Sequence, residues 1–369
     1  MLDDSVYTYP IVMKNFLCTA ALLALTLSAH AQSLVALDLG TLGGPTSGAT
    51  AINNTTRITG QADTSRSTTN AFLWNPLTSM NGLGSLGGNF SISTAISSPT
   101  TINPERVVGF STILGERSTH AFLVNGTSLL DLHPHGSLNS FARAVQTGRN
   151  NQLRLATFVA GSHQNSQGLE KATLWTVVGM GISAIELGTL GGNTSAAFGM
   201  NPARSIVGTA MVTGNHQTHP FFIKSGTSAL QDIGTLGGAN GVAFAVNATN
   251  SVVGEADTTS GLRHAFVWTL NIEQFPAADL GTLGGKTSSA RAIATDGTIV
   301  GTAQDSRGNA KAVKWDPGTR QIVDLNSLID PAQGWVLQVA TGINDNGKIV
   351  GQGLHNGVLR AFLLTTEIQ

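Results

Sequence analysis

The chain has 369 residues, of which 41% are hydrophobic and only 11% charged, with 20 basic against 21 acidic side chains. That balance leaves no basis for capture of nucleic acid or an anionic membrane by net charge, and a lone cysteine, Cys18, excludes a disulfide scaffold. Its 44 glycines favour turns and packed sheet over long exposed helices.

In chain order, the first element is a leader. Met13-Lys14-Asn15 precedes the apolar run Phe16 to Leu27, which ends in Ser28-Ala29-His30-Ala31-Gln32. This reads as a secretory signal peptide, residues 1–31, cleaved after Ala31, with Met1 to Val12 an over-extended start. The run is too short to favour a membrane span, and Cys18 lies too early in it for a lipoprotein junction. The expected remainder, 32–369, is a single repeat domain that is secreted or periplasmic.

A phrase then recurs: DLGTLGG at 38–44, GLGSLGG at 82–88, ELGTLGG at 186–192, DIGTLGG at 232–238 and DLGTLGG at 279–285. Degenerate copies stand at Asp131 and Asp324, so units start near 38, 82, 131, 186, 232, 279 and 324, at intervals of 44, 49, 55, 46, 47 and 45. A period of this size marks a repeat architecture. Each period holds four short strand candidates. The first, such as Ala290 to Ile293, is followed by a turn, Asp296-Gly297, and a second, Ile299-Val300-Gly301. Asp and Asn before Gly suit tight hairpins, so these two should be antiparallel neighbours. The third, His264-Ala265-Phe266-Val267-Trp268, is apolar at successive positions and should be buried on both faces. The fourth runs into the phrase.

Four-stranded units covered on both faces predict an all-β fold, a seven-bladed β-propeller of four-stranded blades, in preference to a β-solenoid or an irregular sandwich. The chain opens on a phrase strand, Leu34 to Leu39, and ends on Leu359 to Leu364, so the last unit lacks its fourth strand. Pairing of these two segments would close the ring and remove two exposed sheet edges.

The order phrase, A-x-A-I-N, I-V-G-x-A and H-A-F-L-W resembles the HAF-repeat family of extracellular bacterial repeat proteins, over about 330 residues. The His-Ala-Phe triplet stands at 120–122 and 264–266, and the segment from Asp324 to Leu364 is similar to the family's closing repeat. The resemblance implies secretion and a repeat architecture, and brings no catalytic residues. Some members end in a membrane-sorting tail. Thr365 to Gln369 does not resemble one, so a soluble secreted or periplasmic protein is expected.

His120, His219 and His264 share one repeat position, and Asp38, Asp232 and Asp279 another. Recurrence once per unit argues for structure: the aspartates would cap turns, and the histidines could bond a neighbouring blade. GTLGG is neither G-x-G-x-x-G nor a P-loop with its lysine. His133 and His135 project to one side of an extended segment, but zinc needs three or four ligands, so no metal and no cofactor is expected. Binding residues concentrate on loops held by a rigid scaffold. The polar loops between second and third strands therefore supply the candidates Asp63, Arg66, Glu116, Arg117, His163, Asp257, Arg263, Asp305, Arg307 and His355. His163, His216 and His355 are expected to be exposed there. With no catalytic signature, the function expected is a non-catalytic module, monomeric, binding a glycan, an envelope component or a protein. The alternatives are a propeller-based lyase or glycosidase acting on polysaccharide, and a structural matrix component.

Overall fold

The computed structural model describes residues 34–115, 117–270 and 277–366. The chain divides into two units, Met1–Gln32 and Ser33–Gln369, and the first, which carries the expected leader, lies outside the described residues.

The described residues form 28 strands and two single-turn 3-10 helices, Leu325–Leu328 and Pro331–Gln333. A short β1 (Val35–Asp38) leads. The first unit holds β2 (Gly43–Ile52), β3 (Ile58–Thr64), β4 (Thr69–Asn75) and β5 (Ser79–Gly84). The second holds β6 (Gly87–Ile96), β7 (Val107–Ile113), β8 (Thr119–Asn125) and β9 (Ser128–Asp131). Then come β10 (Asn139–Arg149), β11 (Leu155–Gln164), β12 (Glu170–Val178) and β13 (Gly181–Glu186). The fourth unit is β14 (Gly191–Met200), β15 (Ile206–Val212), β16 (Thr218–Ile223) and β17 (Gln231–Asp232). The fifth is β18 (Gly237–Val246), β19 (Ser251–Thr258), β20 (Arg263–Thr269) and β21 (Ala278–Asp279). The sixth is β22 (Gly284–Ile293), β23 (Ile299–Asp305), β24 (Ala310–Trp315) and β25 (Ile322–Asp324), and β26 (Trp335–Ile343), β27 (Ile349–His355) and β28 (Val358–Thr365) end the chain.

The sheets overturn the expected seven-bladed propeller of four-stranded blades: there are five blades and not seven. The five are four-stranded sheets: β10–β13, β14–β17, β18–β21, β22–β25, and β26–β28 with β1. The strands of the first two units are joined instead into one eight-stranded sheet, linked by the parallel pair Thr69↔Phe90. A side-chain difference accompanies it. At two later junctions the matching N–H, of Thr119 or Thr218, is taken by the side-chain oxygen of Asn139 or Asn240, at 2.8 and 3.1 Å. Phe90 has no such oxygen, and backbone meets backbone there.

The pairing of first and last strands is present: β1 runs antiparallel to β28, from Val35↔Thr365 to Asp38↔Phe362. The first strands of the units, β2, β6, β10, β14, β18, β22 and β26, each touch the next, and β26 touches β2. They surround a central channel.

Each part of the phrase has a physical task. Gly281 and Gly284 take φ of 70° and 93°, which an L side chain rarely adopts, and a Cβ on Gly285 would come within 2.5 Å of the Asp305 carbonyl. Asp279 accepts from Gly281 N at 2.7 Å. Ser288, buried on the next strand, donates to Gly281 O at 2.5 Å and accepts from Ala265 N at 2.9 Å. It thereby ties one blade's third strand to the next blade's first. Ser47, Ser91 and Ser195 do the same for Ala361, Ala71 and Ala172. At the other end of the strands, Asn201 and Asn247 each donate to the next unit's backbone, at 2.9 and 3.0 Å, and Asn344 reaches round to Asn53 O at 3.1 Å. The third strands are buried as their composition requires, with Phe72, Phe122, Phe221, Phe266 and Phe362 at 0% exposure.

Candidate functional site in the central channel

Every first strand carries one register shift in its A-x-A-I-N segment, and the residue inside it is x. The shifts fall at Thr50, Thr94, Arg143, Phe198, Phe244, Arg291 and Thr341. A β-bulge adds a residue that the partner strand does not match, and so re-aims its side chain. Here the seven bulged residues converge on one cavity of about 260 Å³. The backbone device repeats and the side chain does not: threonines occupy one arc, from Thr341 through Thr50 to Thr94, while Arg143, Phe198, Phe244 and Arg291 occupy the other.

The second arc is a continuous stack. Arg143 lies over Phe198 at 4.6 Å and over Phe141 at 5.3 Å. Phe198 meets Phe244 edge-on at 5.6 Å, and Arg291 lies over Phe244 at 4.3 Å. Phe141 continues through Phe110, at 5.2 Å, to Phe90, at 6.3 Å. These five rings are the partly exposed phenylalanines of the described residues, whereas the others are buried. Guanidinium over a phenyl face is held by the ring quadrupole and keeps its N–H edge free.

The two arginines are anchored differently. Arg143 Nη1 reaches Ser162 Oγ at 2.5 Å and Glu170 at 3.5 Å. Burial lowers its pKa and the Glu170 carboxylate opposes that shift, but an arginine stays charged at neutral pH. Arg291 makes one looser ion pair, 3.9 Å to Glu255, and its side chain is 39% exposed. The threonine arc is committed to the scaffold: Thr50, Thr94 and Thr341 donate to the carbonyls of Ser93, Ala142 and Ala49, at 2.6, 2.8 and 2.8 Å.

The loop candidates do not form a comparable cluster. Asp63 accepts from Thr46 and Thr69 at 2.5 and 2.8 Å. Asp257 and Arg263 are brought together, at 2.7 Å, with Asn240 also on Asp257. Asp305 caps its own turn through the N–H groups of Arg307 and Asn309, both at 2.9 Å. Arg66, Arg117 and Arg307 are exposed on separate loops, and Glu116 lies outside the described residues. Two of the three histidines expected to be exposed are not. His163 is buried in β11, bonded to Thr173 Oγ1 at 2.8 Å and 3.4 Å from Glu186. His355 stacks on Trp335 at 4.5 Å and bonds Asp38 at 2.8 Å. His216 is exposed as expected.

The repeated histidines bond within their own blade, which corrects the suggested contact with a neighbour. His120, His219 and His264 meet Asp131, Asp232 and Asp279 on the adjacent strand, at 2.7, 2.8 and 2.8 Å. Ser118 lies 3.1 Å from the other nitrogen of His120, which completes the connectivity of a nucleophile, a base and an acid. Two observations assign it to the scaffold: the same His–Asp pair recurs after Gln217 and Leu262, where no hydroxyl stands, and the His133 ring covers His120 at 3.7 Å. His133 bonds Ser140 at 2.9 Å while His135 is exposed. Among the described residues no group of three His, Cys, Asp or Glu could hold a metal ion, and no helix is long and apolar enough to cross a membrane.

No protein-family model matches the chain, and no curated protein matches it. Solved structures do match it. A puromycin hydrolase aligns at TM-score 0.57 and 12% identity over 88% of this chain and 52% of its own. A puromycin-hydrolyzing peptidase of Mycobacterium tuberculosis aligns at 0.51 and 12%, over 87% and 52%. The β-propeller domain of the trilobed protease from Pyrococcus furiosus aligns at 0.53 and 9%, over 89% of this chain and 97% of that one. The chain thus spans about half the length of the two hydrolases and nearly all of the propeller domain. At such identities the likeness concerns the fold, and the fold is an all-β propeller.

Proposed function

We propose that the chain is a non-catalytic binding module whose ligand enters the central channel and is held at the bulged residues. One observation carries the reading: an otherwise repeating backbone device presents a non-repeating set of side chains, Arg143, Phe198, Phe244 and Arg291, to one cavity. Scaffold positions repeat because each unit needs them. A position that varies while its backbone geometry is kept is available for selection by a ligand.

The proposal places the protein outside the cytoplasm, in the HAF-repeat family, on the strength of the leader-like residues 13–31 and the His-Ala-Phe triplets. Glycans and envelope components are the ligands such a location offers. The loops with Arg66, Arg117 and Arg307 would extend contact to the channel's surroundings. The test is an array of glycans and cell-envelope fractions, probed with the full chain and with a Phe198→Thr, Phe244→Thr double variant. Threonine already occupies the matching bulge in three units, so the variant should fold. Binding that the variant loses supports the channel, and binding it retains in full refutes it.

A further inference from the structure

We propose that the channel takes a small ring compound bearing one carboxylate, of the hexuronic acid class, a deepening that rests on the channel being the binding site.

The lining decides the polarity of the ligand. Its threonine hydroxyls already donate to backbone carbonyls, so the donors offered to the cavity are guanidinium N–H groups. Among the described residues no acidic side chain lines it. The ligand must therefore present acceptors, and because the Glu170 and Glu255 carboxylates stand 3.5 and 3.9 Å from the two guanidiniums, too far to saturate them, a charged acceptor is favoured. Arg143, tethered by Ser162 and Glu170, is fixed in orientation. Arg291, stacked on Phe244 and with one ion pair of 3.9 Å among the described residues, offers its N–H groups more freely.

The two arcs then decide its shape. Phe198 and Phe244 present an apolar wall to C–H groups, while Thr50, Thr94 and Thr341 present hydroxyl lone pairs from the facing arc. A pyranose acid matches this division: axial C–H groups to lie against the phenyl wall, hydroxyl donors round the rim to reach the threonines, and a carboxylate at the edge. A benzoate would cover the rings and satisfy an arginine, but it has no hydroxyl donor for the threonines. The cavity, about 260 Å³, is under the roughly 300–1,000 Å³ typical of drug-sized ligands. It fits a single residue or a chain terminus.

Calorimetry at low salt with the full chain tests this, using glucuronate, galacturonate, glucose and benzoate as probes. Arg143→Thr and Arg291→Thr each place a residue that other units carry at the same bulge, so both should fold cooperatively, with the Arg143 variant melting lower for the loss of its Ser162 and Glu170 contacts. One of the uronates is expected to bind, to weaken as salt rises, and to bind about tenfold or more weakly to each variant. Glucose as tight as the uronate overturns the acid. Benzoate as tight overturns the sugar. Glucose binding that disappears with the Phe198→Thr, Phe244→Thr double variant would remove the acid claim and leave the channel standing. Uronate binding indifferent to all four substitutions would remove the channel itself. Silence from every probe overturns the proposal.

Discussion

At the scale of single residues, the positions that vary separate from those that repeat. Asp279, Gly281, Ser288 and their equivalents recur because each closes a local hydrogen-bond account that would otherwise be left open. The recurrence of the aspartates made them legible as scaffold from the letters alone, whereas the serines' task shows only in the fold. Arg143, Phe198, Phe244 and Arg291 were equally visible as the x of A-x-A-I-N, but nothing in the letters says that x is bulged, and a regular strand would direct it by alternation alone. The histidines show the same limit. Polarity suggested exposure for His163, yet β11 extends to Gln164 and holds His163 within the sheet, paired on both sides and buried. Its pKa is lowered by burial, against Glu186 and together with Lys171. That of His133 is lowered by burial and by His120 and His163, against Ser137 and Asp131. Both folded values lie under the ordinary 6.5. As pH falls through 6.5, the unfolded chain takes up protons that the folded chain refuses, so stability should fall until the lower folded values are passed. Urea unfolding at pH 7.5 and 5.0 should show this loss, reduced in His163→Gln. A parent whose stability is unchanged or greater at pH 5.0 would contradict the assignment.

At the scale of elements, the closing strand is the informative one. β1 has four residues and, by itself, no reason to be ordered. It is held because β28 would otherwise be an edge, and because Ala36 and Leu39, at 8% and 3% exposure, pack on either side of the junction. Gln333 adds two bonds, donating to Leu34 O at 3.0 Å and accepting from Ala36 N at 2.9 Å. Burial of Leu39 alone is worth about 1.5–3 kcal/mol. Deleting residues 32–39 should therefore lower the melting temperature by many degrees and promote association through the uncovered edge of β28, as read by calorimetry and light scattering. An unchanged melting curve would mean that β1 does not close the last sheet. The pairing was legible from counting strand types. The fusion of the first two units was not, because it rests on a single backbone pair, Thr69↔Phe90, at a position where Asn139 and Asn240 intercept the backbone donor in two other units.

At the scale of the whole molecule, a ring of similar units has only two places where it can be unlike itself: its loops and its axis. The loops vary, but their charged residues are scattered or already paired, as Asp257 and Arg263 are. The axis gathers one side chain from each unit into a single volume, and there the departure from symmetry is ordered, with threonines along one arc and arginines and phenylalanines along the other. Periodicity could suggest a channel. It could not say which letters face it, since that depends on the closure of the ring and on the bulges together. The most direct measurement is a crystal structure of the protein soaked with whichever of glucuronate and galacturonate binds. The account predicts the carboxylate on the Arg291 guanidinium and the sugar ring against Phe198 and Phe244; a ligand ordered on the outer loops with the channel empty would contradict it.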